Sequence, residues 1–309
     1  MQFILAGINL SGSPVETLEG VAVAPRALPA WLPRLAGLAG GGVIVSTCGR
    51  TEVYSEAEDP GGGAAQLVEF LHLLAARDGR ATDLSSLSRE VYTLAGDEVV
   101  RHLFRVTAGL DSMALGEAQV AGQVSDALKA AGEAGVIQPR VSRLFHAALR
   151  TSRRVRQKTG LGRDRVSIPS IGVQLVERSL GDLRSKSALL LGAGETGELV
   201  ARALRNAGVG KLTVATRRPE RAASIASDLG AEWVQFADRD RALREADIVV
   251  ACTAAPKPVV PARMVEEAMR SRPDRPLFML DAGIPRDIDP MAAEIPGVSL
   301  RTLADLETI

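Results

Sequence analysis

The segment Ser46-Thr47-Cys48-Gly49-Arg50-Thr51-Glu52 sets one of only 2 cysteines in the chain beside an arginine, at the end of an apolar run. A free thiol titrates near pH ~8.5, and a neighbouring cation or turn N–H groups lower that value, raising the thiolate fraction that attacks a carbonyl. Arg50 is the local cation, so Cys48 is the candidate nucleophile. The plainer reading is a small buried cysteine closing a strand. Position argues for chemistry instead. Val43 to Thr47 and Thr51 to Ser55 read as two β-rich runs, leaving Cys48-Gly49-Arg50 on the tight connection between them, where rigid scaffolds display reactive groups.

A second constellation lies far along the chain. Gly192-Ala193-Gly194-Glu195-Thr196-Gly197 follows the apolar run Ala188 to Leu191 and opens a helical pattern through Leu204. In that context the first glycine allows the sharp turn, Gly194 lets a pyrophosphate approach the backbone and Gly197 permits close packing of helix on strand. Glu195 and Thr196 sit where the helix N-terminus meets the phosphates. The next strand ends Thr216-Arg217-Arg218, with no acid to hold the ribose hydroxyls, so both arginines are placed to pair with a 2′-phosphate and NADPH is favoured over NADH. The alternative is two solvated loop arginines. Two later strand ends, Ala251-Cys252-Thr253 and Asp281-Ala282-Gly283-Ile284-Pro285-Arg286-Asp287, should border the nicotinamide. Thr253 reads as a cofactor contact or a helix cap, Cys252 as a small filler, and Pro285 and Arg286 as loop-shaping or substrate contacts.

These residues need scaffolds, and a chain of 309 residues is long enough for two cores. Hydrophobic content of 46%, charged content of 24% and a formal net charge of zero fit an ordinary soluble protein and exclude a global attraction to nucleic acid. Two distant cysteines, Cys48 and Cys252, form neither a disulfide framework nor a metal-ligand cluster, which suits a reducing cytoplasm and leaves no metal site to expect. Met1 to Gly7 lacks the basic flank and cleavage site of a secretion signal, and no apolar stretch is long enough for a bilayer.

The first part alternates strand-like runs (Gln2 to Asn9, Val43 to Thr47, Thr51 to Ser55, Arg89 to Leu94) with helical patterns at Ala64 to Arg77 and Asp97 to Thr107. Gly61-Gly62-Gly63 lacks the ending of a phosphate loop and reads as a flexible loop before a helix. Glu117 to Thr159 is helical and reads as a connector between domains. Its face of Arg143, Arg150, Arg153, Arg154, Arg156 and Lys158 is either a solvated surface or an RNA contact. Strands follow at Ser187 to Leu191, Lys211 to Ala215, Asp247 to Ala251 and Leu277 to Asp281, with helices between. The expected fold is α/β overall: an α+β catalytic and substrate-recognition domain at 1–150, then a Rossmann-type doubly wound NADPH-binding domain at 151–309.

A nucleophilic cysteine and an NADPH site in one chain suggest reduction of an acyl group through a thioester, which hydride converts to an aldehyde. At this point the residues resemble the glutamyl-tRNA reductase family. Ser46 to Tyr54 is similar to the family's Ser-Thr-Cys-Asn-Arg-Thr-Glu signature. His102-Leu103-Phe104-Arg105-Val106, followed by Gly109-Leu110-Asp111-Ser112-Met113-Ala114-Leu115-Gly116-Glu117-Ala118-Gln119, resembles its most distinctive segment. Arg143-Leu144-Phe145, Val166-Ser167, the glycine loop and Pro285 to Asp289 agree in order and spacing, so the resemblance covers nearly the whole chain.

The resemblance implies Cys48 as thioester-forming nucleophile, with Thr47 and Arg50 lining the aminoacyl pocket. It also implies His102 for proton transfer and Ser112, Glu117 and Gln119 for substrate binding. His72 and His146 gain no such support and read as structural. Glutamyl-tRNA is the implied substrate, NADPH the cofactor, and a downstream aminomutase an implied partner. The chain departs from the pattern at Gly49, where the family has Asn; both residues tolerate a left-handed turn. Leu10, Ser11 and Gly12 replace the family's His-Lys-Thr, and Ala118 replaces a usual Pro. The chain ends at Ile309, where the family continues into a helical dimerisation region, which leaves the oligomeric state open. A reductase of a different acyl group, a non-catalytic NADPH-binding regulator and a small-molecule dehydrogenase are the competing readings; the last leaves the cysteine signature unexplained.

Overall fold

The computed structural model describes residues 1–77, 84–112, 115–161, 168–253, 255 and 257–306. Val166-Ser167 and, within the 109–119 segment, Met113-Ala114 lie outside the described residues. The chain divides into two compact units, Met1–Val166 and Ser167–Ile309.

The first unit runs β1 (Gln2–Asn9), α1 (Val15–Val21), α2 (Leu28–Ala39), β2 (Val43–Ser46), β3 (Arg50–Ala57), α3 (Pro60–Ala76), α4 (Leu84–Glu90), β4 (Tyr92–Ala95), α5 (Asp97–Ala108), α6 (Ala118–Glu133) and α7 (Pro139–Lys158). Its antiparallel sheet has the order β2-β3-β1-β4. Register places Ser46 opposite Thr51 and Asn9 opposite Arg50, so the β2–β3 turn and the end of β1 meet at one edge of the sheet. β3 is buried along almost its whole length, with both faces covered, and this brings its polar residues inside. Leu67, Phe70, Leu71 and Leu74 recur at helical spacing and lie fully buried on α3, which packs on β1.

Several elements differ from the sequence reading. Gly61 to Gly63 form the first turn of α3, not a loop: the Asp59 carboxylate accepts from the N–H groups of Gly61 and Gly62, each at 3.1 Å, and Pro60 stands at the helix start. Arg89 and Glu90 end α4, and the strand begins only at Tyr92. The helical stretch 117–159 is two helices, interrupted before Pro139, and it is no connector. The apolar face of α7 (Val141, Leu144, Phe145, Ala148, Leu149) is buried within the first unit against α5, α6 and β3. Residue 150 therefore lies inside a helix of that unit.

The second unit runs α8 (Ile168–Leu180), β5 (Ser187–Leu191), α9 (Glu195–Asn206), β6 (Lys211–Thr216), α10 (Pro219–Leu229), β7 (Glu232–Gln235), α11 (Arg239–Glu245), β8 (Ile248–Ala251), α12 (Ala262–Arg270), β9 (Leu277–Asp281), β10 (Val298–Thr302) and α13 (Leu303–Leu306). All six strands are parallel, in the order β10-β9-β8-β5-β6-β7. Counted along the chain this is the 3-2-1-4-5-6 order of a doubly wound dinucleotide fold, with its switch point between β5 and β8. The central strands are apolar on both faces, as helix-covered parallel strands must be. The polar edge strand β7 and the mixed strand β10 carry no such signature, and the sequence reading missed both.

Phe145 is fully buried, edge-on to Tyr54 with ring centroids 5.2 Å apart. Phe145→Ala is expected to lower unfolding free energy by about 3–5 kcal/mol, as for other large-to-small core changes. Chemical denaturation measures this, and a loss below about 1 kcal/mol would show that α7 is not part of the core.

Candidate active site

The turn carrying Cys48 is short and well tied. Thr47 N–H donates to the Arg50 carbonyl at 2.8 Å, and Gly49 N–H to the Thr47 hydroxyl at 3.2 Å. Leu10 N–H donates to the Gly49 carbonyl at 3.1 Å, so the altered first loop packs directly on the cysteine turn. Gly49 is not in the left-handed region, and a Cβ built there meets nothing within 4 Å. The turn therefore does not need glycine, contrary to the left-handed turn expected above.

The thiol itself differs from expectation. Burial, then the Glu117 carboxylate, push the Cys48 thiol up to about 12, against a backbone hydrogen bond and the pull of Arg50. The reason is that Arg50 is engaged elsewhere. Its Nη1 donates to Glu52 Oε1 at 2.9 Å and its Nη2 to the Asp111 carbonyl.

Glu52, fully buried, is the centre of the arrangement. Besides Arg50, Oε1 accepts from the Tyr92 hydroxyl at 2.5 Å and bonds His102 Nε2 at 2.8 Å, while Oε2 accepts from the Tyr54 hydroxyl at 2.5 Å. Burial pushes the carboxyl up, but the His102 hydrogen bond, the charges of Arg50 and His102 and the Tyr54 hydroxyl outweigh it and hold it at about 2. Burial and Glu52 push both tyrosines up, so both phenols remain donors. An ionised carboxylate only accepts, so in this bond the His102 proton sits on Nε2. Gly7 makes the space. A Cβ there would lie 2.8 Å from Glu52 Cγ and 3.0 Å from the Tyr92 ring.

The segment after α5 is pinned from three sides. The Asp111 carbonyl meets Arg50, and the Asp111 carboxylate pairs with Arg105 at 2.6 Å. Arg156, reaching in from α7, donates to the carbonyls of Gly116 at 3.3 Å and Glu117 at 3.1 Å. Ser112 and Gln119 are half-buried on this segment, and Glu117 is buried and acts on the thiol. The structure thus gathers Thr47, Cys48, Arg50, Glu52, His102 and Glu117 in one polar region. Glu52 and Tyr92, its organisers, were not singled out in the sequence; a glutamate and tyrosines on otherwise apolar strands were the available signal. His72 bonds Ser88 at 3.0 Å and His146 its own helix at Ser142, both outside this network.

In the second unit the glycine loop has the geometry its motif demands. Gly192 has φ +110°, and a Cβ there would fall 2.6 Å from the Cys252 carbonyl; one on Gly197 would fall 2.3 Å from the Gly192 carbonyl. A Cβ on Gly194 meets nothing, which leaves room for phosphate above the first turn of α9, where Glu195 and Thr196 lie. Arg217 and Arg218 are exposed just beyond β6, with Arg217 5.9 Å over the Phe236 ring. Arg221 joins them unannounced by the motif, donating to the Ala193 carbonyl at 3.3 Å and pairing with Glu198 at 3.1 Å. These residues fit a 2′-phosphorylated dinucleotide.

Thr253 caps no helix. Its hydroxyl donates to Asp287, its N–H to Asp287 Oδ2 at 2.5 Å, and its Oγ1 accepts from Ala255 N–H at 3.2 Å. Asp287 is fully buried; burial, and the nearby Asp281 charge, push its carboxyl up to about 7 against the Thr253 bonds. Burial and both aspartates also push the Cys252 thiol up, which keeps it an inert filler.

Because the folded Glu52 lies below the ordinary 4.5, its contribution to stability is complete above that pH and is lost as pH falls through about 2. Glu52→Gln, which cannot accept from all four donors, is expected to destabilise by about 3–5 kcal/mol at pH 7. Denaturation measured from pH 5 to 3 should show a smaller acid loss in the variant than in the parent chain.

Residues 6–159 match the family described as Glutamyl-tRNAGlu reductase, N-terminal domain, and residues 174–309 the Shikimate / quinate 5-dehydrogenase family. The glutamyl-tRNA reductase of Rubrobacter xylanophilus is 41% identical over 311 aligned residues, spanning 100% of this chain and 71% of that protein. That of Deinococcus radiodurans is 40% identical, spanning 100% of this chain and 85% of its relative. Among solved structures, glutamyl-tRNA reductase from Methanopyrus kandleri is 36% identical over 99% of this chain and 72% of that one, with a TM-score of 0.46. Whole-length identity at this level, with the Cys48 turn and the glycine loop both in place, makes this chain a member of the glutamyl-tRNA reductase family.

Proposed function

We propose that this protein reduces glutamyl-tRNA to glutamate-1-semialdehyde with NADPH, the first step of tetrapyrrole synthesis, through a thioester on Cys48. The observation that carries the reading is the pairing, in one chain, of a cysteine turn tied to a buried Glu52–His102–Arg50 network with a glycine loop followed by Arg217 and Arg218.

The Cys48 sulfur attacks the glutamyl carbonyl. A carbon–sulfur bond forms, the ester bond to the terminal ribose breaks, and the ribose hydroxyl leaves with the proton taken from the thiol. Burial keeps that proton on sulfur in the resting site, so a base must act when the acyl group arrives. His102 is the base in this reading, since Glu52 fixes its tautomer and leaves Nδ1 to receive the proton. Thr47 and Arg50 line the acyl pocket, with Ser112, Glu117 and Gln119 beside them. NADPH, when bound, supplies the hydride that turns the thioester into an aldehyde and frees the sulfur. The helix α9 N-terminus and Gly194 would hold its pyrophosphate, Arg217 and Arg218 its 2′-phosphate, and Thr253 would keep the β8 loop in place beside it.

No helix among the described residues is long and apolar enough to cross a membrane. A cytoplasmic location and hand-over of the reactive aldehyde to an aminomutase complete the proposal.

Two measurements test it. With glutamyl-tRNA and NADPH, Cys48→Ala should abolish aldehyde formation, and His102→Asn should lower kcat by about 10²–10⁴-fold. Full activity in the cysteine variant would overturn the thioester route. Arg217→Ala/Arg218→Ala should raise the KM for NADPH by about 10–100-fold, the worth of charge-assisted hydrogen bonds, while leaving that for NADH nearly unchanged.

A further inference from the structure

We propose that the outward face of α7 is the surface on which the sugar-phosphate backbone of the tRNA docks. This rests on the glutamyl-tRNA reading above and adds where the nucleic acid lies.

The charge distribution carries the inference. The whole chain has a formal net charge of zero, with 37 basic and 37 acidic residues. α7, 20 residues long, contains no Asp or Glu. Its buried side takes Leu144, Phe145, Ala148 and Leu149, which leaves Arg143, Arg150, Arg153, Arg154 and Lys158 exposed. Arg143, Arg150 and Arg154 recur at i, i+7 and i+11, which places them in one stripe along the helix. At a rise of ~1.5 Å per residue the stripe from Arg143 to Lys158 is about 22 Å long, enough to follow several phosphates of one strand.

A merely solvated helix face in this protein looks different. On α12, Arg263 pairs with Glu267 and Arg270 with Glu266; on α9, Arg202 pairs with Glu198, each four residues apart. Such pairs relieve like-charge repulsion at a helix surface. None of the five exposed α7 cations takes part in an ion pair with a described residue. The described residues of its own unit leave the stripe unneutralised, and a polyanion is the partner that neutralises it through many phosphates at once.

The same helix also reaches the reaction pocket from its other side. Arg156 holds the carbonyls of Gly116 and Glu117, and α7 packs on α5, which carries His102. RNA held on the outer face is thus held on the element that braces the pocket for its aminoacyl end.

The experiment measures binding of deacylated tRNA across a salt series, and turnover with glutamyl-tRNA and NADPH. It uses the parent chain, Arg143→Glu/Arg150→Glu/Arg154→Glu, the matching triple Arg→Lys variant, and a control reversal Arg241→Glu/Arg244→Glu/Arg263→Glu in the second unit. The expected result is at least about 10-fold weaker tRNA binding in the α7 reversal. Its log–log salt slope should be shallower by about 2–3, at ~0.7–0.9 for each phosphate that the helix no longer neutralises. The KM for glutamyl-tRNA should rise in step while kcat and the KM for NADPH hold, and the lysine variant should keep most of the binding. Unchanged binding and KM, or an equal loss in the control, would overturn the docking surface. If the parent chain binds tRNA through α7 but forms no aldehyde, the docking inference stands and the reductase reading falls. If it turns over normally and the reversal leaves KM unchanged, the docking inference alone falls.

Discussion

A buried, ionised carboxylate must have its lone pairs satisfied, and in the first unit almost everything near Cys48 follows from meeting that demand at Glu52. The donors come from different elements: Arg50 and Tyr54 from β3, Tyr92 from β4 and His102 from α5. β1 separates β3 from β4, and only a residue without a side chain, Gly7, lets Tyr92 reach across it. With Nη1 of Arg50 bonded to Glu52, its Nη2 fixes the Asp111 carbonyl. One carboxylate thus sets the distance between the cysteine turn, the histidine helix and the segment that begins α6.

The same constraint explains the state of the thiol. Adjacency in sequence makes Arg50 look like the cation that activates Cys48, but a guanidinium already bonded to a buried glutamate offers little net field to a third group. Burial and Glu117 then dominate, and the sulfur keeps its proton. A cysteine of this kind is protected from oxidation and from adventitious acylation, because the thiolate is the reactive form. In the proposed thioester route activation comes with the substrate, through proton removal by a group whose orientation is fixed beforehand, and Glu52 supplies that orientation to His102.

How much of this the chain announces depends on the kind of signal. The glycine loop, its strand and its helix were legible because turn chemistry and apolar periodicity coincide within a few residues, and the fold leaves no other place for Gly192 or Gly197. The Cys48 turn was legible from two short β-rich runs. The Glu52 network was not, since its members are spread from residue 50 to residue 102 and only strand register brings them together. α7 misled for a related reason. Its basic residues are as many as its apolar ones, so it reads as a solvated connector, although a narrow apolar stripe suffices to bury it. Asp287 stands in the sequence as one residue of a loop, yet its partner Thr253 lies 34 residues away and only the parallel pairing of β8 with β9 joins them.

The two units use one device with opposite electrostatic outcomes. In each, a buried carboxylate ties together loops at the mouth of a sheet. Glu52 has four donors, including a guanidinium, and stays ionised throughout the working pH range. Asp287 has Thr253 as its donor and the carboxylate of Asp281 as a neighbour, while Asp281 takes the N–H groups of Gly283, Asp287 and Ile288 at 3.0, 3.2 and 2.8 Å. Burial, with the neighbouring Asp281 charge, outweighs the two Thr253 bonds, so Asp287 titrates near 7. Its folded value lies above its ordinary 3.8, so the protonated form favours folding and that contribution fades as pH rises towards 7. The loops after β8 and β9 are therefore held most firmly on the acid side of neutrality, whereas the surroundings of Cys48 are organised by a charge that neutral pH leaves untouched.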